Sequence, residues 1–399
     1  MAAIAVGRSG NRRALDAGRE AAREAVGAMD GERVRGVVTF ATAAHDQRQL
    51  LRGIREITGD APLSGCSTSG ILTAQGSDES THAVAVMTVG APLTFEGFLV
   101  EGLSRDPRGR GRELAGQVGE HDAGRGRLLL LFPDGLTGNI TDLLSGVESG
   151  LRRPLTVAGG SSGELLKLGR TWQYHDDVAT TDAVSAALLG GAFTSEVAVS
   201  QGCEPIGLEQ TVTRAEDGWV FEIDGRSAWS VYEQYLEVED TIAVSMREFC
   251  YLCIAERLPE PDPTYGEYIV RCPLQLDRAT GAMFFPGNIR TGTKVRLALR
   301  SEARTVEKLL ESARSIVARR PGLRPELLLH FDCCCRARLL FGGRTNEAAI
   351  EPVRAIFGHD VPYMGFSTYG EIAPLRAGGP TRFHNYGAVL CALYAEGAS

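Results

Sequence analysis

Three short segments rich in glycine and hydroxyl side chains carry the residue types best suited to hold a small polar molecule: LSGCSTSGIL at 63–72, VAGGSSGE at 157–164 and YMGFSTYGE at 363–371. Ser67, Thr68, Ser367 and Thr368 offer short hydroxyls beside backbone amides, and Gly65, Gly70, Gly365 and Gly370 let the chain bend sharply at a strand end. Such a turn can cradle a carboxylate or phosphate, or it can spend its hydroxyls on its own backbone. Glu371 suits an ammonium or guanidinium group. Arg271, in an otherwise apolar stretch, and Arg336, directly after three cysteines, can grip a carboxylate through the planar fork that lysine lacks. All but three of the 42 basic residues are arginine, so most arginines must be solvated surface groups. His384 and Asn385 precede the last apolar stretch, placed to hydrogen-bond a ligand across the turns.

Covalent chemistry is less well supported. GGSSG at 159–163 fits G-x-S-x-G around Ser161, but no good helix and no obvious His–acid constellation accompanies it, and the other two turns read G-x-S-x-x-G. Nine cysteines, an odd number without a secretory signal, read as reduced thiols rather than a disulfide framework. CYLC at 250–253 would set Cys250 and Cys253 on one helix face, and Cys333 and Cys335 would share one strand face with Cys334 on the other. Four such thiols invite zinc, yet structural zinc pairs sit on knuckle turns, so buried free thiols are the preferred reading and no metal is assigned. Cys335, beside Arg336, and Cys66, in the first turn, are the candidate reactive thiols.

The elements that must position these groups form a repeat. An apolar strand at 36–42, a helical stretch at 45–57 opened by Asp46, the first Gly/Ser turn and a strand at 83–89 recur as 128–132, a helix through Leu143–Leu151, the second turn and 183–189. They recur again as 327–332, 348–357, the third turn and 387–394. Pro352 fits the start of the last helix better than its interior. Between the second and third copies lies a different region: a strand at 219–223, the turn Asp224–Gly225, then Ser227 capping a helix that should bury Val231, Tyr235 and Leu236. Strands at 268–276 and 283–285 and a helix at 302–317 follow. The expected fold class is α/β, two domains built from repeated strand-helix-turn-strand modules with mixed β-sheets, divided as 1–214 and 215–399.

A chain of 399 residues with 43% hydrophobic residues and net charge −8 has material for packed cores and no basic surface for nucleic acid. Its apolar runs are too short for a membrane span, which leads to a cytoplasmic assignment.

LSGCSTSGIL, WVFEIDGRSAWSVYEQYL at 219–236, YIVRCPLQLD from Tyr268, and DCCCRARLLFGG leading to VPYMGFSTYGEIAP resemble the FIST family, with its N-terminal and C-terminal FIST domains in tandem. The resemblance implies an intracellular sensory protein that binds a small polar ligand, an amino acid or related metabolite, between its FIST domains. It implies signalling through a separate kinase, cyclase or regulator, and it makes a sensor a better reading than an enzyme. The ligand set taken from this reading is Ser67, Thr68, Arg271, Arg336, Ser367, Thr368, Glu371, His384 and Asn385. Some bacterial relatives are described as haem proteins that sense nitric oxide, so haem is one alternative, although no histidine here stands out as its axial ligand. A cysteine-dependent enzyme is the other.

Overall fold

The computed structural model describes residues 3–121, 126–235, 252–262, 265–376 and 378–396. Three modules of mixed sheet and paired helices surround a common core, and an eight-stranded sheet is inserted into the third.

Each module is built on one pattern. In the first, Gly36–Thr42 and Leu63–Thr68 run parallel, joined by the helix Gln47–Thr58 that Asp46 caps by accepting from Gln49 N–H. Val84–Val89 pairs antiparallel with the first of these, and Ile4–Ser9 lies outside it. The second module repeats this order as Thr94–Glu101, Ala183–Gly191, Gly126–Pro133 and Thr156–Gly160. The third repeats it as Phe193–Gln201, Gly387–Ala395, Leu327–Cys333 and Tyr363–Thr368. The central strands read as continuous apolar runs because both faces are covered: helices on one side, the other sheets on the other.

The modules exchange edges. The hairpin Ile71–Thr73/Gly76–Asp78 leaves the first module and extends the sheet of the third; the hairpin Glu371–Pro374/Thr381–His384 leaves the third and extends the second; Gln173–His175/Val178–Thr180 leaves the second and extends the first. The exchange closes a three-fold ring and covers an edge of every sheet that would otherwise present unpaired backbone. Where the inner faces meet, Phe40 packs on Phe366 with ring centroids 4.3 Å apart and on Phe132 at 5.3 Å.

Gly65, Gly159 and Gly365 hold equivalent places in the three parallel pairs. A Cβ at Gly365 would stand 1.7 Å from the His330 carbonyl oxygen, and one at Gly65 would stand 1.9 Å from that of Thr39. Gly65 and Gly365 lie within strands and do not take the left-handed region, so these two glycines serve close approach of neighbouring strands rather than the sharp bend expected of them. Gly365→Ala should therefore cost about 1–3 kcal/mol of stability, read as a lower urea midpoint at unchanged slope; an unmoved midpoint would mean the carbonyl can retreat.

The inserted sheet has the order Gly266–Arg271, Leu252–Asp262, Lys294–Arg300, Cys203–Glu216, Trp219–Ile223, Ala282–Phe284, Gln275–Asp277, with Arg226–Ser227 beside Trp219–Ile223. Ser227 caps Ala228–Glu233 as expected, but the buried ring is Tyr232, whereas Tyr235 is 48% exposed; Leu236 lies outside the described residues. Cys253 lies in a strand, not on a helix face, and Cys250 is outside the described residues. Only Cys333 ends a strand; Cys334–Arg336 turn into helix, so the triplet does not alternate across a sheet. The last helix has Pro352 in its first turn and continues from a π-helical turn at Asn346–Ile350.

Candidate functional site

The three Gly/Ser turns converge. Ser69 N–H donates to Ser367 O and Ser367 N–H to Gly70 O; Ser161 N–H donates to Gly370 O and Tyr369 N–H to Ser161 O; Gly163 N–H donates to Ser67 O. Each turn is thus hydrogen-bonded to another module's turn at the carboxyl ends of the parallel strands. The hydroxyls largely serve this junction. Ser67 Oγ donates to Gly163 O and accepts from Trp172 N–H, both at 2.8 Å, and Thr68 Oγ1 lies 3.0 Å from Ser367 O. Thr368 Oγ1 donates to Glu371 Oε1 at 2.6 Å. Ser161 Oγ and Ser367 Oγ are buried and find no hydrogen-bond partner among the described residues.

Glu371 is wholly buried, and its Oε2 accepts from Gly387 N–H at 3.0 Å. Burial, reinforced by neighbouring Cys333 and Asp332, pushes its carboxyl well above the usual range. Its strand partner His384 donates from Nε2–H to Ala373 O at 2.9 Å, because a carbonyl only accepts, and burial pulls the imidazole down to about 3. Arg336 is buried against Asp332, Nε to Oδ1 2.7 Å, and burial outweighs that cation in pushing Asp332 up to about 7. Arg271 and Asn385 join the inserted sheet to the third module's hairpin. Arg271 Nη1 donates to Phe383 O at 2.7 Å while its Nε meets Glu256 at 2.7 Å, and Asn385 Oδ1 accepts from Cys272 N–H at 3.2 Å. Cys66, expected in an accessible turn, lies fully buried in a strand, and burial pushes its thiol up.

A different set of residues lines open space. A cleft of about 610 Å³ lies between the second module and the inserted sheet, within the size range of small-molecule sites. Arg105, Asn139 and Asp142 face it from the second module, Asp217, Phe285 and Asn288 from the inserted sheet, and Phe383 from the exchanged hairpin. Asp134 forms part of its floor and is fully committed, accepting from Leu136 N–H and Thr171 Oγ1 at 2.8 Å and from Asp182 N–H at 2.9 Å. Thr141 Oγ1 bonds Gly287 O at 3.1 Å, a strut between the two walls. Arg105, Asp142 and Asp217 form no side-chain ion pair among the described residues, so two anions and one cation are available to an occupant. Leu168, Asp217 and Asn288, all on the rim, have φ of 53°, 48° and 52°. For leucine that left-handed conformation is costly, and such strain concentrates at ligand-binding loops. None of these wall residues was anticipated from the sequence; the visible signals were the turn pair Asp217–Gly218 and the capping pattern Asn139–Asp142.

Three of the seven histidines are buried and committed within the fold. His330 is held in a strand with Nδ1 2.5 Å from the Tyr363 hydroxyl, His384 is held by Ala373, and neither lines the cleft. His45 is buried against the His82 ring at 5.1 Å. Among the described residues no histidine lines the cleft, and no step is derived through haem.

The FIST N domain model matches residues 36–226 and the FIST C domain model residues 228–374; the chain belongs to the FIST family. Domains of this family are associated with signal transduction and small-ligand sensing. The chain is 27% identical over 383 residues to the uncharacterized protein Mb0898c of Mycobacterium bovis, covering 94% of this chain and 95% of that protein. It is likewise 27% identical over 350 residues to the uncharacterized protein Rv0628c of Mycobacterium tuberculosis, covering 87% of each. Among solved structures, PurLQS from Thermotoga maritima matches at 11% identity and a TM-score of 0.25, covering 99% of this chain and 72% of that one, a likeness too weak to carry an argument. No helix among the described residues is long and apolar enough to cross a membrane.

Proposed function

We propose that this chain is a cytoplasmic sensor that binds a small zwitterionic metabolite, an amino acid or a molecule of the same charge pattern, in the cleft between its FIST domains and signals through a separate protein partner. The observation that carries this reading is the cleft, whose walls come from the second module on one side and the inserted sheet on the other. Asp142 and Asp217 suit an ammonium group and Arg105 a carboxylate, while Phe285 and Phe383 offer apolar surface for a side chain. An occupant touching both walls stabilises the closed arrangement in proportion to its preference for it, which is how binding becomes a change of shape that a partner reads. Arg271 and Asn385 serve as positioning residues, tying the inserted sheet to the hairpin that carries Phe383.

The test is a thermal-shift screen of the full chain against amino acids, nucleotides and organic acids. A ligand at 100 times its Kd should stabilise the fold by about 2.7 kcal/mol. Asp142→Asn and Arg105→Gln, both on the cleft wall, should melt as the wild type does without ligand and lose the ligand-induced shift. No stabilisation by any compound, or a shift that both variants retain, would sink the proposal.

A further inference from the structure

The cysteine triplet belongs neither to the cleft nor to the hydrogen bonds that join the turns. The Sγ atoms of Cys333, Cys334 and Cys335 all lie within 4.8 Å of one another, although consecutive residues on a strand would point them to opposite faces. They converge because the chain changes conformation there: Cys333 keeps extended backbone, φ −60° and ψ 132°, and Cys334 begins a helical turn. Ala337–Phe341 follows as a π-helical turn and Asn346–Ile350 as another, a rare backbone form frequent at functional sites. The triplet sits at the carboxyl end of a parallel strand pair, where α/β sheets place their ligands.

We infer that Cys333, Cys334 and Cys335 form a three-thiolate site for one soft monovalent metal ion, Cu(I). Thiolates select soft ions, and carboxylates and water the hard ones. Among the described residues the group that converges within this distance has three members, each offering one ligand atom, which suits three-coordinate Cu(I) rather than the closed tetrahedron of structural zinc. None of the three is in a disulfide, and all three are nearly inaccessible. Buried Cys203, Cys253, Cys272, Tyr369 and Tyr386 belong to the same cluster, a sulfur-rich surrounding with the buried carboxyls of Asp332 and Glu371 beside Cys333. Binding releases a proton from each thiol to solvent and forms three Cu–S bonds with no change of oxidation state. The resulting complex carries two negative charges beside buried Arg300, which donates to the Cys335 carbonyl, and next to Arg336, whose charge is shared with Asp332.

The experiment is anaerobic titration of the reduced, metal-free chain with Cu(I) in the presence of a competing Cu(I) chelator, followed by X-ray absorption at the copper edge. One Cu(I) per chain, held against the chelator by sulfur donors alone, three to the ion, is the expected result. Cys334→Ser and Cys335→Ser should each weaken binding by at least roughly 100-fold, since outer-shell changes alone cost 10–100-fold, whereas Cys391→Ser, a buried cysteine of a different strand, should leave it unchanged. The absorption spectrum of the wild type decides the matter even if a variant misfolds. Loss of copper to the chelator, nitrogen or oxygen donors in the spectrum, or preferential uptake of Zn(II) over Cu(I) would each overturn the inference.

Discussion

Arg336→Met is expected to cost about 1–1.5 kcal/mol more stability at pH 8 than at pH 5, because pH 8 lies one unit above the Asp332 value of about 7 and each unit is worth about 1.36 kcal/mol. Both Arg336 and Asp332 are fully buried, 2.7 Å apart, in the strand-to-helix turn that closes the third module. Methionine fills much of the space but leaves Asp332 without its cation. The loss should depend on pH with a definite sign. Asp332 is already pushed up to about 7, so below that value the folded chain carries it largely protonated and the charge pair contributes little. Without the guanidinium its affinity for a proton rises further. Between the unfolded value near 4 and this higher folded value, the folded state binds more protons than the unfolded one, so stability falls as pH rises. The deficit of Arg336→Met relative to wild type should accordingly be small at pH 5 and grow toward pH 8. Adding Asp332→Asn to the variant should restore most of the pH 8 loss. Urea melts at the two pH values check it, and a deficit of equal size at both would mean that the pair contributes packing rather than charge.

The three modules were readable because their central strands are buried on both faces. GVVTFAT, LLLLF and LLLHFD stand out as unbroken apolar runs, and each is followed by a helical stretch and a small-residue turn. The exchange of hairpins was not readable. Ile71–Thr73 and Gly76–Asp78 make a pattern that would suit the edge of any of the three sheets, and only the closed ring assigns them to the third. The inserted sheet hid a further link: Phe193–Gln201 pairs with Gly387–Ala395 across nearly the whole second half of the chain, a separation that local periodicity does not report. The cysteines show the cost of extending a period by one residue, since strand alternation held as far as Cys333 and failed where the helix begins.

The candidate site was legible in part for a related reason. Small hydroxyl residues at the carboxyl ends of parallel strands mark a place where chains converge, and the turns do converge. What spacing could not convey is that they meet one another directly, so that Ser67, Thr68 and Thr368 satisfy backbone and carboxylate groups of the fold. Open space lies one layer outward, where loops from distant stretches of chain meet. Arg105, Asp142, Asp217 and Asn288 share no motif and no period, and nothing short of the folded arrangement groups them.

His384→Gln should make the chain relatively more stable in acid. His330 and His384 are both wholly buried, and burial pulls each imidazole down to about 3. In the unfolded chain they titrate near 6.5, so below that pH the unfolded state takes up protons that the fold refuses. Each histidine therefore contributes stability that is present above about 6.5 and is lost as pH falls toward the folded value, at about 1.36 kcal/mol per pH unit, or about 2–3 kcal/mol by pH 4.5. Asp332 and Glu371 act in the opposite sense, because their carboxyls are pushed up and the folded state holds the extra protons. The four groups offset one another, and the wild type should show a flatter profile between pH 4.5 and 7 than either pair alone would give. Removing one histidine exposes the imbalance. Glutamine can keep a donor for the Ala373 carbonyl that His384 now meets at 2.9 Å, so the packing loss should be nearly constant with pH. The difference in unfolding free energy between His384→Gln and wild type should then move by about 2–3 kcal/mol in favour of the variant from pH 7 to pH 4.5, measured by urea melts. A pH-independent difference would mean that His384 takes up its proton in the folded chain, at Nδ1, since Nε2–H already donates to the Ala373 carbonyl.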